Sequence, residues 1–215
     1  SGLGLADNDP ISSIANAGSA GGSFTASGST RPTYKTSIQN GKSIARFDGT
    51  DDLLAGSALS AYFGASAKTI FIVGRYTGAS WPSVTAWQAP AFLADSGGYF
   101  NVGVNVVSGP VNAFLAYNYD GSYDYAHGST ERYKDQWYVV TCVHDGTNLK
   151  IYVDTAAASS TASVGTSLMT GTTQIGKSYS NYLTGDIGRV LGYSTALGTT
   201  DRETYRDQLI TEWGI

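Results

Sequence analysis

Acidic and charged side chains are scarce in this sequence. Only three glutamates occur in 215 residues, Glu131, Glu203 and Glu212, and Asp, Glu, Lys and Arg together make up 14%. An average soluble domain carries roughly 25% charged residues, so hydroxyls, amides and backbone must cover this surface. The single cysteine, Cys142, excludes an intrachain disulfide and a thiolate metal cluster. The two histidines, His127 and His144, have no Cys or Glu at ligand spacing and do not make a zinc site. No apolar run approaches the ~20 residues of a membrane helix; the run around residues 70–73 is strand-sized. The net charge of −4 leaves no basic footprint for nucleic acid. There is no initial Met and no signal-like segment, which reads as a processed product or an excised piece.

What is present is small and aromatic. Gly numbers 27, and the 15 tyrosines outnumber Lys and Arg combined at 13. Hydrophobic residues at 41% are ordinary for a globular chain. This length fits one domain, taken as residues 1–215, with enough chain to bury a core without disulfides. Gly, Ser and Thr are poor in helix interiors, so a mostly β domain is expected.

The first forty residues carry little periodicity, and 7–10 and 18–29 read as loops. From Ser43 the pattern alternates: Ile44, Arg46 and Asp48 against Ala45 and Phe47, ending in the turn Asp48-Gly49. Leu53-Leu54 begins a short return strand, and 58–63 suits one helical turn. Residues 69–73 form a continuous β-branched and aromatic run, the pattern of a strand buried on both faces. Further strands are expected at 91–94, 99–107, 111–118, 172–177 and 186–193. Asp145-Gly146 lies between two alternating runs within 136–154, a strong hairpin signal. At the end, Thr200 and Glu203 fit a capping box, Tyr205, Leu209 and Trp213 share one helical stripe, and Gly214 can stop that helix. The architecture predicted is an all-β jelly-roll β-sandwich of two antiparallel sheets with one short C-terminal helix.

Several stretches carry a family resemblance: Arg31-Pro32-Thr33-Tyr34, Asn40-Gly41-Lys42 and Arg46-Phe47-Asp48-Gly49-Thr50-Asp51-Asp52 near the start, and Ile151-Tyr152-Val153-Asp154 after the hairpin. Ile175-Gly176-Lys177, Gly185-Asp186-Ile187, Tyr193-Ser194 with Ala196-Leu197, and the closing Trp213-Gly214 complete the pattern. Together they resemble concanavalin A-like, laminin-G-like jelly-roll domains across nearly the whole chain, with the middle weakest. The resemblance implies a binding or structural role, as in bacterial surface proteins and phage virion proteins such as tail fibres and head decorations. Relatives commonly have an aromatic-containing strand just before the stretch matching residues 1–9, which this chain begins too late to include. Ala156-Ala157 stand where relatives often keep a Gly, which implies a different turn.

The same sandwich hosts glucanases, which resemble one another in a Glu-x-Asp-x-x-Glu strand that is absent here. Glycosidases need a rigid carboxylate pair ~5–9 Å apart. Asp120 and Asp124 are the candidates, but they flank Gly121 and Ser122 in an expected loop, and solvated carboxylates are the preferred reading. Cys142 falls inside an alternating strand, the usual place of an inert buried thiol. Each histidine reads as a surface or strand-end residue without an orienting partner. Calcium takes oxygen ligands in loops. Asp7 and Asp9 could supply them, as could Asp48 with Asp51 and Asp52, although all suit turn-forming Asx residues, the preferred reading.

The most suggestive feature is aromatic. Tyr117, Tyr119, Tyr123 and Tyr125 cluster around Asp120, and Trp81 and Trp87 bracket a second loop. Tyr offers flat apolar area with a polar tip and little entropy to lose, which suits a sugar or a protein partner equally. These aromatics, with Asp120 and Asp124, are the candidate ligand surface. The expectation is a non-enzymatic module on a virion or bacterial surface that adheres to a glycan or host receptor. The alternative is a decoration or assembly domain packing on other virion proteins, and behind it a polysaccharide-degrading enzyme. The lack of an Asn-x-Ser/Thr sequon is compatible with a prokaryotic or phage source.

Overall fold

The computed structural model describes residues 3–56, 67–107, 111–128, 131–158, 161–163, 165 and 171–215. The helical turn expected at 58–63 lies outside them. The first strands are β1 (Ser13–Ala15), β2 (Ser23–Thr25), β3 (Thr33–Gln39), β4 (Lys42–Asp48), β5 (Leu54–Gly56) and β6 (Lys68–Tyr76). The middle supplies β7 (Ala91–Asp95), β8 (Phe100–Val107), β9 (Val111–Tyr119), β10 (Tyr123–His127), β11 (Tyr138–His144) and β12 (Asn148–Val153). Then come β13 (Thr161–Ser163), β14 (Thr173–Ile175), β15 (Lys177–Ser178), β16 (Asn181–Tyr182), β17 (Thr184–Tyr193) and the helix α1 (Thr199–Trp213).

Two large antiparallel sheets pack as a jelly-roll sandwich. One runs β1-β2-β5-β14-β7-β8-β9-β10, the other β13-β12-β11-β6-β17-β4-β3. Side chains alternate between the faces of a strand, and here the two sets go to two cores. Ile70, Ile72, Val140 and Cys142 join Phe92, Phe100, Val102 and Phe114 between the sheets. Phe71, Val73 and Val139 point the other way, onto Leu209 and Trp213 of α1. This is why β6 and β11 are apolar almost throughout: one face meets the opposite sheet and the other lies under the helix. Trp213 stacks on Trp137 with ring centroids 5.8 Å apart, and full burial of such a side chain contributes on the order of 2–3 kcal/mol.

The β11–β12 hairpin forms as expected, with Gly146 at φ +92° and the Asp145 carboxylate accepting the Thr147 and Asn148 N–H groups. The Tyr205, Leu209 and Trp213 stripe docks α1, and Gly214 ends it in the left-handed region at φ +65°. Four expectations need correction. The first forty residues, which show little periodicity, contain β1, β2 and β3, and β2 falls inside the 18–29 stretch read as a loop, because Ser- and Thr-rich backbones complete sheet ladders without an apolar rhythm. The strand at Leu54 does not return onto β4 but crosses to the other sheet, pairing with β14 and β2. Asp124 stands on β10, not in a loop. The capping box does not form: the helix starts two residues earlier, at Thr199 with Gly198 as N-cap, and Glu203 pairs with Arg202 instead.

Candidate functional site

The β9–β10 hairpin places the four tyrosines together. Tyr119 is opposite Tyr123 and Tyr117 opposite Tyr125. Residues of one parity share a face, so all four point outward, while Phe114, Ala116 and Ala126 point into the inter-sheet core. The turn is closed by Asp120, whose Oδ1 accepts the Ser122 N–H at 3.0 Å, and by Gly121 at φ +119°. Only glycine takes that backbone shape readily.

The rings form a ladder. Centroids of Tyr119 and Tyr123 lie 5.1 Å apart, Tyr117 and Tyr123 6.4 Å, and Tyr125 and His127 5.8 Å. Tyr99, which sequence reasoning did not include, extends it: its ring stacks on Tyr119 at 5.8 Å and its carbonyl accepts the Tyr119 N–H. Its position just before the apolar run of β8 was the available signal. Exposure grades across the ladder, with Tyr123 at 69%, Tyr125 at 43% and Tyr117 at 2%. Tyr117 is therefore the floor, packed with Ala89, Ala113 and Leu115, and burial raises its phenol pKa. Tyr123 and Tyr125 are the exposed rings of this face.

A strap walls one side of this face. Three successive outward positions of β8 are given over to the segment 78–90. Asn105 exchanges two hydrogen bonds with the Val84 backbone, at 3.1 and 2.6 Å, and the Asn101 amide donates to the Ala86 carbonyl at 3.0 Å. Between them a Cβ on Gly103 would come within 2.5 Å of the Pro90 carbonyl oxygen. Trp81 turns away from the tyrosines, packing on Tyr76 and Phe114 with ring centroids 5.3 and 6.1 Å away. The Trp87 side chain lies outside the described residues.

The remaining candidates are occupied by structural hydrogen bonds. The Asp120 carboxylate also takes the Gly165 N–H, and these bonds hold its pKa below the ordinary carboxylate range. Asp124 faces away from the tyrosines, and the Ser122 hydroxyl sits between the two carboxylates at 2.9 and 2.8 Å. A general acid needs a raised pKa, the opposite of what surrounds Asp120. His144 is fully buried at the end of β11; its Nδ1 accepts the Gly146 N–H, so Nε2 carries the proton and donates to the Gly165 carbonyl. Burial, then the Lys68 charge, lowers its pKa. Burial pushes the Cys142 thiol up to about 12, far from a reactive thiolate.

Asp7 is engaged by the Thr36 N–H at 2.9 Å and the Lys35 ammonium at 3.3 Å, and Asp9 caps the Ala6 N–H at 2.8 Å. Asp48, Asp51 and Asp52 are a separate acidic group, with carboxylate oxygens within 4.8 Å of one another. There, too, backbone donors are seated: Thr50 N–H on Asp48 at 2.7 Å and Asp48 N–H on Asp52 at 2.9 Å. These are turn-forming contacts.

A family model described as the concanavalin A-like lectin/glucanases superfamily matches residues 60–201. No curated protein sequence matches this one significantly. Among solved structures, a heptameric SAP-like pentraxin from Limulus polyphemus superposes with a TM-score of 0.53 at 18% identity, covering 75% of this chain and 80% of that one. Botulinum neurotoxin type C, whose cell entry depends on two ganglioside molecules, gives 0.51 at 14% identity over 94% of this chain and 45% of the toxin chain. An arabinofuranosidase solved with arabinofuranosyl-alpha-1,2-xylobiose gives 0.63 at 9% identity, over 95% of this chain and 51% of the enzyme. The chain thus spans about half the length of the last two, and at these identities the likeness is one of fold.

Proposed function

The chain belongs to the concanavalin A-like lectin/glucanase superfamily, and from that premise we propose that it is a non-enzymatic recognition module that binds glycan through the outward face of the β9–β10 hairpin. The observation that carries this reading is the tyrosine ladder: exposed rings of Tyr123 and Tyr125 on a floor of Tyr117, fixed by strand register. Such rings stack on the CH faces of sugars while their hydroxyls hydrogen-bond, at small entropic cost. Ganglioside use by the neurotoxin of similar fold is in keeping with it. The parent protein would be a phage virion or bacterial surface protein that adheres to host glycan.

Enzymatic cleavage is disfavoured because Asp120 and Asp124 are bridged by Ser122 and share no face with the tyrosines. The test is a glycan array with the folded protein, followed by titration of hits with Tyr123→Ala/Tyr125→Ala, which removes the two exposed rings. The double variant should lose at least tenfold in affinity at unchanged melting temperature; binding that survives it moves the site elsewhere. Release of reducing sugars, abolished by Asp120→Asn or Asp124→Asn, would establish an enzyme instead.

A second reading is favoured by one observation: among the described residues β10 is the end strand of its sheet, and it carries the exposed Tyr123 and Tyr125. The same face would then pack on a neighbouring virion protein. Imaging the domain in its parent assembly separates the two, since a tyrosine face open to solvent there rules out packing.

A further inference from the structure

A second cluster, inside the sandwich at the end that carries the Tyr119–Tyr123 turn, takes no part in the glycan reading. Ile70 and Ile72 of β6 lie in the inter-sheet core, so Lys68, two residues earlier, points the same way, and it is fully buried. Its Nζ stands 4.9 Å from the centre of the Phe100 ring on the facing sheet. Phe100 is directly opposite Asn118 on β9. Because Val102 and Ala116 are core residues, Phe100 and Asn118 share the inward face. On the other side of Phe100, the pairing of Ala94 with Asn101 puts Asp95 beside it, also fully buried. An amine from one sheet therefore sits over a ring flanked by a carboxamide and a carboxylate on the other.

Asn118 is the anomaly. It is fully buried, and neither its Oδ1 nor its Nδ2 makes a hydrogen bond. Buried polar groups are nearly always satisfied, and an exception calls for a cause. Cross-strand neighbours stand ~5 Å apart at Cβ, so the carboxamide and the lysine nitrogen both border the Phe100 ring.

We infer that Lys68 and Asn118 become joined by an intramolecular amide bond formed by the folded chain itself, with Asp95 transferring the proton. The neutral lysine Nζ attacks the Asn118 Cγ, the Cγ–Nδ2 bond breaks, and one proton passes from Nζ through the Asp95 carboxylate to the departing nitrogen. Ammonia leaves, the new bond is a secondary amide, and nothing is oxidised or reduced. Burial assists by favouring the neutral amine, drawing the lysine down to about 8, with Cys142 and Asp95 opposing. Asp95 is held for its part by the Tyr99 N–H at 3.0 Å and the Gly171 N–H at 2.9 Å, which leave lone pairs on both oxygens. The product ties β6 of one sheet to β9 of the other and replaces the partnerless primary amide with a buried secondary one.

Intact mass spectrometry of the folded, purified full chain tests this. The mass should fall short of the sequence mass by one ammonia molecule, and proteolysis should release a joined peptide pair containing Lys68 and Asn118. Peptide mapping is essential, because a succinimide at Asn40-Gly41 would lose the same ammonia. Lys68→Met and Asn118→Ala should each restore the full mass. Asp95→Asn should leave the bond unformed while the circular dichroism of the β-sheet persists. A full-mass wild-type protein after incubation at pH 8, or a deficit that maps to Asn40, overturns the inference regardless of how any variant folds. Glycan binding does not enter the readout, so either reading can fail alone.

Discussion

Asp52 is almost inaccessible to solvent and sits among acidic neighbours, Asp48 and Asp51. Burial, and then the two adjacent charges, raise its pKa from 3.8 to about 6, against the pull of the Asp48 N–H. The folded protein thus binds this proton more tightly than the unfolded chain. Its stabilising contribution is present below pH 3.8 and is lost as pH rises through about 6. Asp52→Asn keeps an oxygen for the Asp48 N–H and carries no charge. It should raise the melting temperature at pH 7.5, at about 2–4 °C per kcal/mol for a chain of this size, and flatten the decline between pH 4 and 6. His144 acts with the opposite sign, since its pKa is lowered in the fold. Its contribution is intact above 6.5 and is lost as acid drives the buried imidazole to charge. Thermal melts from pH 7.5 to 5 in the Asp52→Asn background expose that loss; a melting temperature that does not fall would contradict it.

At the scale of elements, the helix and the strap are each held by devices that a linear pattern does not display. The C-terminus of α1 is tied to the β3–β4 turn: the Gln39 amide donates to the Trp213 and Gly214 carbonyls, and the Asn40 amide to that of Glu212. Gly188 on β17 leaves room for the Trp213 ring, since a Cβ there would come within 2.2 Å of it. Gly188→Ala should displace Trp213 at a cost of roughly 1–3 kcal/mol and weaken the near-UV circular dichroism from its stack on Trp137. Gly198→Ala, where a Cβ meets nothing and φ is −62°, should leave the Trp213–Trp137 stack and its near-UV signal in place. The strap is subject to a similar test. Asn105→Ala leaves the Val84 N–H and carbonyl without their partner, a loss of about 1–3 kcal/mol, and should speed proteolytic nicking within 78–90 while the sheet signal persists. The helix stripe was legible because Tyr205, Leu209 and Trp213 recur at helical spacing; Gly188 was not, because its reason lies across 25 residues of chain.

Across the whole molecule, two things came directly from order along the chain. Alternating runs on either side of Asp145-Gly146, and the unbroken apolar run of β6, act through neighbouring residues, so strands, hairpin and sandwich class could be read without a partner in view. The tyrosine cluster was legible in the same way, because one hairpin of matched parity suffices to align it. What only the tertiary structure decided is which of those residues meet. Register and burial divided the tyrosines into a buried floor and exposed rings, turned Asp124 to the opposite face and brought in Tyr99 from another strand. Sheet packing set Lys68 over Phe100 beside Asn118, from strands distant in sequence. The physical reason is that alternation and turn chemistry are short-range properties of the backbone. The partner of an inward side chain is chosen instead by closure of the sandwich, a sum of many long-range pairings.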